Sequence, residues 1–321
     1  MSGAAIPFVC PKCQGALTDH GTAVACEKCA QKFPRLGMAY ADFAPGISWD
    51  DWWAENPDEI RRFMAEEVPK EEEYQAGLAR RYMLPLLDKL GLRPGRTSVL
   101  AAGCGLAADV DTLNDEGYAA WGIDCGNRVR GWSRRKQQDR LARADATYLP
   151  FPDASFDFVT AFNLLEHVGT EGKDLTTVEP DYEAKRLAVM RSLLRVTKPG
   201  GYVLLSGPNR RFPIDPFHTQ DSTFVRMHSP FERFLLSYGD NRKLALATGY
   251  ADWTRPLPIR GFFSWTHLRE SRIVRPFLPL ADWMLGGLPA AVYGSWFSFL
   301  IIILVHRRAD GPNGNGQKGR A

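Results

Sequence analysis

The chain has 321 residues, 45% apolar and 24% charged, the balance of an ordinary globular protein, which excludes a disordered, collagen-like or coiled-coil chain. At roughly 150 residues per domain, the length suggests two domains. Forty Lys and Arg against 37 Asp and Glu leave a net charge of +3, too small an excess to argue for nucleic-acid binding from charge alone. Six cysteines, four clustered early and two isolated, suggest a reducing compartment and a metal rather than a disulfide scaffold. Met1–Val9 lacks a basic n-region and a long apolar h-region, so no secretory signal is expected and the expected location is the cytoplasm.

The first element is a pair of C-x2-C turns, Cys10-Pro-Lys-Cys13 and Cys26-Glu-Lys-Cys29. Each turn aims two thiolates at one point, and together Cys10, Cys13, Cys26 and Cys29 supply the four soft ligands that tetrahedral zinc prefers. A segment this short buries too little apolar surface to fold alone, so structural zinc would stabilise it. Four Cys leave no open position for catalysis. Residues 1–45 are read as a zinc ribbon. Residues 46–95 are read as a Trp-, Asp- and Pro-rich linker and a charged helical stretch over Pro57–Leu90, interrupted near Pro69 and kinked at Pro85.

From Thr97 the pattern alternates strand and helix, which predicts an α/β domain over 96–308 with a mostly parallel sheet. Strands are predicted at 97–102, 118–123, 141–144, 156–162 and 202–206. Helices are predicted from the first glycine turn to Glu116, through the basic stretch after Asp124, and over Tyr182–Val196. Regularity fades in an insertion over about 207–297, rich in Pro and aromatic residues. Leu285–Val305 is uncharged and long enough to cross a bilayer, but its Gly and Pro content predicts a loop or short helix feeding a buried strand. Contact of this apolar segment with a membrane surface stays open. Residues 309–321 are read as a disordered tail.

The chemistry concentrates at the strand ends, because open α/β sheets bind ligands beyond their carboxyl edge. Gly103 and Gly105 let the backbone turn tightly after the first strand. Asp124 ends the second strand, where a carboxylate can accept from two ribose hydroxyls, and Asp145 ends the third, placed for an adenine amino group. Gly-Cys-Gly-Leu-Ala lacks a complete G-x-G-x-x-G fingerprint, and no Gly-Lys-Ser/Thr follows as in a P-loop.

At these residues the chain resembles the class I S-adenosylmethionine-dependent methyltransferases. Val99–Ala107 is similar to their first motif and Trp121-Gly-Ile-Asp124 to their second. Ala144-Asp-Ala146 with Leu149–Asp157 resembles the adenine-contacting turn, Asn163–Val168 the segment after strand four, and Leu194–Gly201 the turn before strand five. The resemblance covers roughly residues 78–210. It implies a Rossmann-like sheet with helices on both faces, and S-adenosylmethionine bound by Ala101, Gly103, Cys104, Gly105, Asp124, Cys125, Asp145, Ala146 and Asn163. Two positions depart from the pattern: Ala101 replaces the usual acid and Ala107 the last glycine, so the hold on the methionine part is expected to shift to backbone and water.

The family's reaction is nucleophilic attack on the sulfonium methyl, catalysed by proximity and, for a hydroxyl nucleophile, by a general base. His167 is the candidate base, since it follows strand four and an imidazole titrates near neutrality. Glu166-His167-Val168 also resembles ubiquinone-pathway O-methyltransferases, whose acid-rich version of this segment holds a divalent metal; Asn163 replaces one of those acids and argues against metal-assisted catalysis here. Arg210, His218 and His228, set among aromatic and basic residues including Phe217 and Phe224, are candidate substrate contacts. The basic run Arg128–Arg143 is read as a solvated face or an RNA-facing patch. Three readings follow. The favoured one is O-methylation of a small, lipophilic acceptor. A second is a methyltransferase resembling the ribosomal RNA guanine-N1 enzymes, and a third is a non-catalytic zinc-ribbon interaction protein on a degenerate scaffold.

Overall fold

The computed structural model describes residues 8–36, 40–44, 56–171, 176–218, 226–262 and 275–310. Met1–Pro7, residues 48–55 of the linker, Phe224 and the tail beyond Asp310 lie outside them.

Four short strands open the chain: β1 (Leu17–Asp19), β2 (Ala23–Cys26), β3 (Lys32–Leu36) and β4 (Tyr40–Asp42). The α/β core supplies β5 (Ser98–Ala102), β6 (Ala119–Asp124), β7 (Leu141–Arg143), β8 (Phe156–Phe162) and β9 (Thr197–Pro208), then β10 (Ala251–Pro256) and β11 (Leu300–Arg307). All eleven join one sheet in the order β1-β2-β3-β4-β7-β6-β5-β8-β9-β11-β10. Strands β4, β7, β6, β5, β8 and β9 run parallel; β11 alone is reversed against β9, and β10, antiparallel to β11, runs in the direction of the core strands. Chain order reverses at β5, which lies between β6 and β8, and the carboxyl side of such a switch point is where an open sheet offers a ligand crevice.

Strand β5 is wholly apolar apart from Ser98 and buried throughout, as a strand covered on both faces must be. Its residues alternate between two layers. Leu100 and Ala102 pack with α5 (Tyr182–Val196) through Val189 and Leu193, whereas Val99 and Ala101 pack with α4 (Ala108–Asp115) through Val110 and Leu113. The run of α1 (Pro57–Arg62), α2 (Val68–Leu78) and α3 (Leu84–Lys89) adds to the second layer Leu78 of α2, Leu87 of α3 and Met83 from the turn between them. These three helices form one run in which π turns at Phe63–Glu67 and Ala79–Met83 each end just before a proline. Pro69 and Pro85 cannot donate to the helix and would collide with a carbonyl four residues back, and a widened turn removes both problems.

The basic stretch after Asp124 is helical as predicted, but wound in the tighter 3₁₀ form, over Asn127–Arg134 and Gln138–Arg140. Gly131 packs so closely on Leu106 that a Cβ there would come within 2.6 Å, and Trp132 behind it donates its indole N–H to Gly105 O at 2.8 Å. The cations of this stretch are answered within the chain: Arg128 meets Glu71, Arg134 and Arg135 meet Glu72, Lys136 meets Asp115, and Arg140 donates to Asn114.

Leu285–Val305 divides into α8 (Ala290–Tyr293) and the buried strand β11, beside α7 (Leu278–Met284). Among the described residues no helix is long and apolar enough to cross a membrane. Within the insertion, α6 (Tyr238–Ala247) and β10 are regular elements that the fading pattern did not reveal. Helix α6 opens with a capping box in which the Ser237 hydroxyl oxygen accepts from Asp240 N and the Asp240 carboxylate accepts from Ser237 N.

Candidate active site

The loop leaving β5 holds Gly103 and Gly105 at φ +72° and +54°, and Ala107 at +59°. Cys104 is buried between them, and burial, then the Asp124 and Asp109 charges, push its thiol up. Asp124 at the end of β6 ties this loop down: one carboxylate oxygen accepts from Gly105 N at 2.8 Å and the other from Gly126 N at 2.7 Å. The carboxylate is only half-buried, and each oxygen keeps a further lone pair for a ligand hydroxyl. Asp145, on the neighbouring strand end, accepts from Thr147 N at 2.8 Å with one oxygen, and its other oxygen has no partner among the described residues. Burial and then both aspartates push the Cys125 thiol up to about 12, so the two carboxylates act on one point from neighbouring strands. Ala146 is buried beside Asp145, and Ala101 is buried in β5 between Gly122 and Thr160.

Residues that the sequence did not single out close this loop from above. Gln75 of α2 accepts from Ala108 N at 3.1 Å, capping a helix whose own cap position, Ala107, has no side-chain oxygen. Glu71, one turn earlier, receives Arg128 Nε at 2.7 Å. A Cβ on Gly105 would lie 2.7 Å from Gln75 Nε2 and 3.2 Å from Glu71 Oε1, which explains the glycine.

A second group forms beyond β8 and β9. Asn163 takes φ +47° as it leaves β8 and donates its N–H to Ser206 O, and a tight turn at Leu165–His167 follows. From beyond β9, the pair Ile214–Asp215 and Arg226–Met227 brings His218 over this turn. His167 Nε2 and His218 Nε2 then face one another at 3.3 Å. His218 Nδ1 lies 2.8 Å from Asp215, which is fully buried and also receives the N–H groups of Phe217 and His218. Burial alone would raise Asp215, but His218 and then Arg226 hold its carboxyl below the usual range. Burial, and then the charge of His218, draw His167 down to about 4, while burial pushes Glu166 up to about 7.

Four buried polar atoms here have no hydrogen-bond partner among the described residues: Asn163 Oδ1, Glu166 Oε1, His167 Nδ1 and Ser206 Oγ. Such atoms cost free energy unless something binds them, so their concentration at two adjacent strand ends marks a place prepared for a ligand. Glu166, His167 and His218 also bring potential ligand atoms within 4.8 Å of one another.

The remaining predicted contacts stand apart. Arg210 is drawn to Asp240 at 2.9 Å and lines a groove of about 360 Å³ between α5 and α6. His228 pairs with Glu232 at 3.3 Å and meets the His pair only through the chain Glu232–Arg226–Asp215. Asp215, the partner that orients His218, was missed; its signal was the Asp-x-x-His spacing.

The four early cysteines converge as their spacing predicts. Their sulfurs lie within 4.8 Å of one another, with Cys10–Cys29 at 3.7 Å and Cys13–Cys26 at 3.4 Å. Thiolates about 2.3 Å from a tetrahedral zinc would stand roughly 3.7 Å apart, so the donor set fits that ion.

Residues 100–205 match a family described as "Methyltransferase domain". Among similar proteins, a demethylmenaquinone methyltransferase of Beutenbergia cavernae is 33% identical over 132 residues, 40% of this chain and 48% of the relative. A 2-methyl-6-phytyl-1,4-hydroquinone methyltransferase of Synechocystis is 27% identical over 213 residues, 64% of this chain and 55% of the relative. The chain spans about half the length of the curated relatives it matches. The solved structure of an S-adenosylmethionine-dependent methyltransferase from Methanosarcina mazei aligns over 70% of this chain and 97% of its own, at 16% identity and a TM-score of 0.41.

Proposed function

We propose that this chain transfers the methyl group of S-adenosylmethionine to a hydroxyl of a small lipophilic acceptor, and that a structural zinc holds Cys10, Cys13, Cys26 and Cys29. The observation that carries the reading is the group of unpartnered polar atoms beside the His167–His218 pair, joined to the glycine loop by Leu164, which packs on Gly103. Asp124 would receive the ribose hydroxyls and Asp145 the adenine amino group, and the bound cofactor would supply an electrophilic methyl on a positive sulfur. The names of the relatives, two of them quinone or hydroquinone methyltransferases, support a lipophilic ring as acceptor.

The chain's own part is to receive a proton. Asp215 fixes the proton of His218 on Nδ1, so that His218 Nε2 accepts from His167 Nε2–H. His167 Nδ1 is then a free lone pair, and it takes the proton of the acceptor hydroxyl. A buried imidazole drawn down to about 4 does not keep two protons, so the one on Nε2 passes to His218, where Asp215 stabilises the positive charge. The basic run takes no part, because most of its cations face acids of the same chain.

A second reading is favoured by the convergence of Glu166, His167 and His218. A divalent cation held there would occupy the same nitrogens and bind the acceptor oxygen itself. Incubating the protein and labelled S-adenosylmethionine with an extract of lipophilic metabolites tests the proposal. Label should enter a hydroxylated compound with the parent protein and not with His167→Ala. Turnover that rises with Mn²⁺ in the parent and not in Glu166→Gln would favour the cation.

A further inference from the structure

The geometry points to a docking surface for an anionic lipid bilayer, built from the insertion at the mouth of the site. Three segments rise from the edge of the sheet that carries the glycine loop. Residues 209–218 leave the end of β9, and 226–236 pair back onto them through Arg226–Met227 and Ile214–Asp215. Residues 275–299 enter β11 at Leu300, opposite Pro208. Residues 257–262 extend β10 past Ile303 and bind α7 through Ile259 N and Arg260 N, both donating to Leu285 O. Asn209 holds the first two together, its side-chain amide donating to Ser295 O and Ser298 O at 2.7 Å.

Exposed apolar residues collect on these segments. Eight of the eleven large hydrophobic side chains exposed among the described residues lie on them. Phe277, Leu280 and Trp283 recur every three residues along α7 and its entry, on one face, and are 56–64% exposed. Trp296 and Phe297, with ring centroids 4.0 Å apart, stand next to Asn209 in the chain's path, and Phe231 is 88% exposed on the opposite segment. The strand that an apolar reading of Leu285–Val305 would have offered to a membrane is the wrong surface, since Leu300–Val305 are buried within the sheet.

Charge selects the occupant. The described parts of these segments, residues 209–218, 226–236, 257–262 and 275–299, hold six Arg against three Asp and Glu, so they carry as much net positive charge as the whole chain. Arg260 and Arg275 flank α7, Arg260 packed on Gly286 and Arg275 exposed at its entry. Aromatic rings with one wet edge, set among arginines, suit the headgroup layer of an anionic bilayer, where each group keeps the medium it prefers. A protein so docked would receive a lipophilic acceptor directly from the bilayer. That last step rests on the proposed acceptor, whereas vesicle binding does not, so the two can fail separately.

Flotation of the full chain with vesicles of phosphatidylcholine, and of phosphatidylcholine with phosphatidylglycerol, tests the surface. Binding is expected to the anionic vesicles, weakened at least about tenfold in Trp283→Ser/Phe297→Ser and weakened by Arg275→Glu on anionic vesicles only. Both variants change exposed side chains, and an unchanged circular dichroism spectrum and cofactor affinity would verify their fold. No binding of the parent to anionic vesicles, or equal binding of the double variant, would overturn the proposal. So would a dimer in solution that the same substitutions abolish while vesicles go unbound, since a second copy would then cover the patch.

Discussion

His167 and His218, 51 positions apart in the chain, set their Nε2 atoms 3.3 Å from one another. Two like nitrogens at that distance are held by a single proton, and Asp215 on the far side of His218 decides which of them carries it. Removing the receiving end should therefore leave the cofactor bound and the proton stranded. His218→Ala is expected to lower kcat by about 10²- to 10³-fold with S-adenosylmethionine affinity unchanged. Asp215→Asn, which keeps the packing but not the charge, should lower it less. Steady-state turnover beside cofactor calorimetry measures both, and a fall in cofactor affinity equal to the fall in kcat would remove the relay from the mechanism.

Glu166 and His167 are neighbours with opposite pH signatures. Burial, then the charge of His218, lowers His167 from 6.5 to about 4, so the unfolded chain gains a proton that the folded one refuses, and stability is lost as pH falls from 6.5 through 4. Burial raises Glu166 from 4.5 to about 7, so its contribution is present below 4.5 and is lost as pH rises through 7. Each is worth at most about 3 kcal/mol. Relative to the parent, His167→Gln should be more stable at pH 4 than its value at pH 7 implies, and Glu166→Gln more stable at pH 7 than its value at pH 4 implies. Urea unfolding at both pH values reads the slopes, and slopes tilted the same way would contradict the assignment.

The cysteine-bearing hairpins are joined to the core by one buried ion pair. Arg143 of β7 donates to both oxygens of Asp42 of β4, at 3.1 and 3.0 Å, and to Ala44 O at 2.9 Å. Because β4 pairs directly with β7, the hairpins extend the central sheet. Asp42→Ala removes the carboxylate that balances the buried guanidinium and should cost about 3–5 kcal/mol. Limited proteolysis should then release the first 40 or so residues before the core is cut, and a cleavage pattern identical to the parent's would show that the pair holds nothing.

Ala107 occupies a left-handed conformation that costs a side chain about 1 kcal/mol. Glycine removes that strain but loses more chain entropy on folding. Ala107→Gly should therefore leave Tm unchanged or raise it slightly, whereas Ala→Gly inside a helix costs about 1 kcal/mol. A drop in Tm comparable to a mid-helix substitution would mean that the loop is not strained.

Much of this molecule can be read from local pattern. Strand β8 and helix α5 fall where Phe156–Phe162 and Tyr182–Val196 are predicted, because each buries a mostly apolar face, interrupted only by Thr160 in the strand and by Arg186 and Ser192 in the helix. The helix predicted after Asp124 is present but 3₁₀ rather than α, because Gly126 and Gly131 together with the Trp132 hydrogen bond to Gly105 favour tighter winding. Strand β10 was missed since Ala-Asp-Trp-Thr-Arg-Pro, at the sheet edge, alternates poorly and ends in proline. The candidate site divides in the same way. Gly103, Asp124 and Asp145 stand at strand ends that the pattern itself locates. The meeting of His167 with His218, the support from Asp215, and the cap that Gln75 provides are contacts across long stretches of chain, to which no local spacing points.

Calorimetric titration of S-adenosylmethionine into the parent protein and into Asp124→Ala tests the central claim most directly. The parent should release heat at one site per chain, and the variant, deprived of the carboxylate that both shapes the glycine loop and receives the ribose, should bind at least about tenfold more weakly. No heat with the parent, or equal affinity in the variant, would contradict the account.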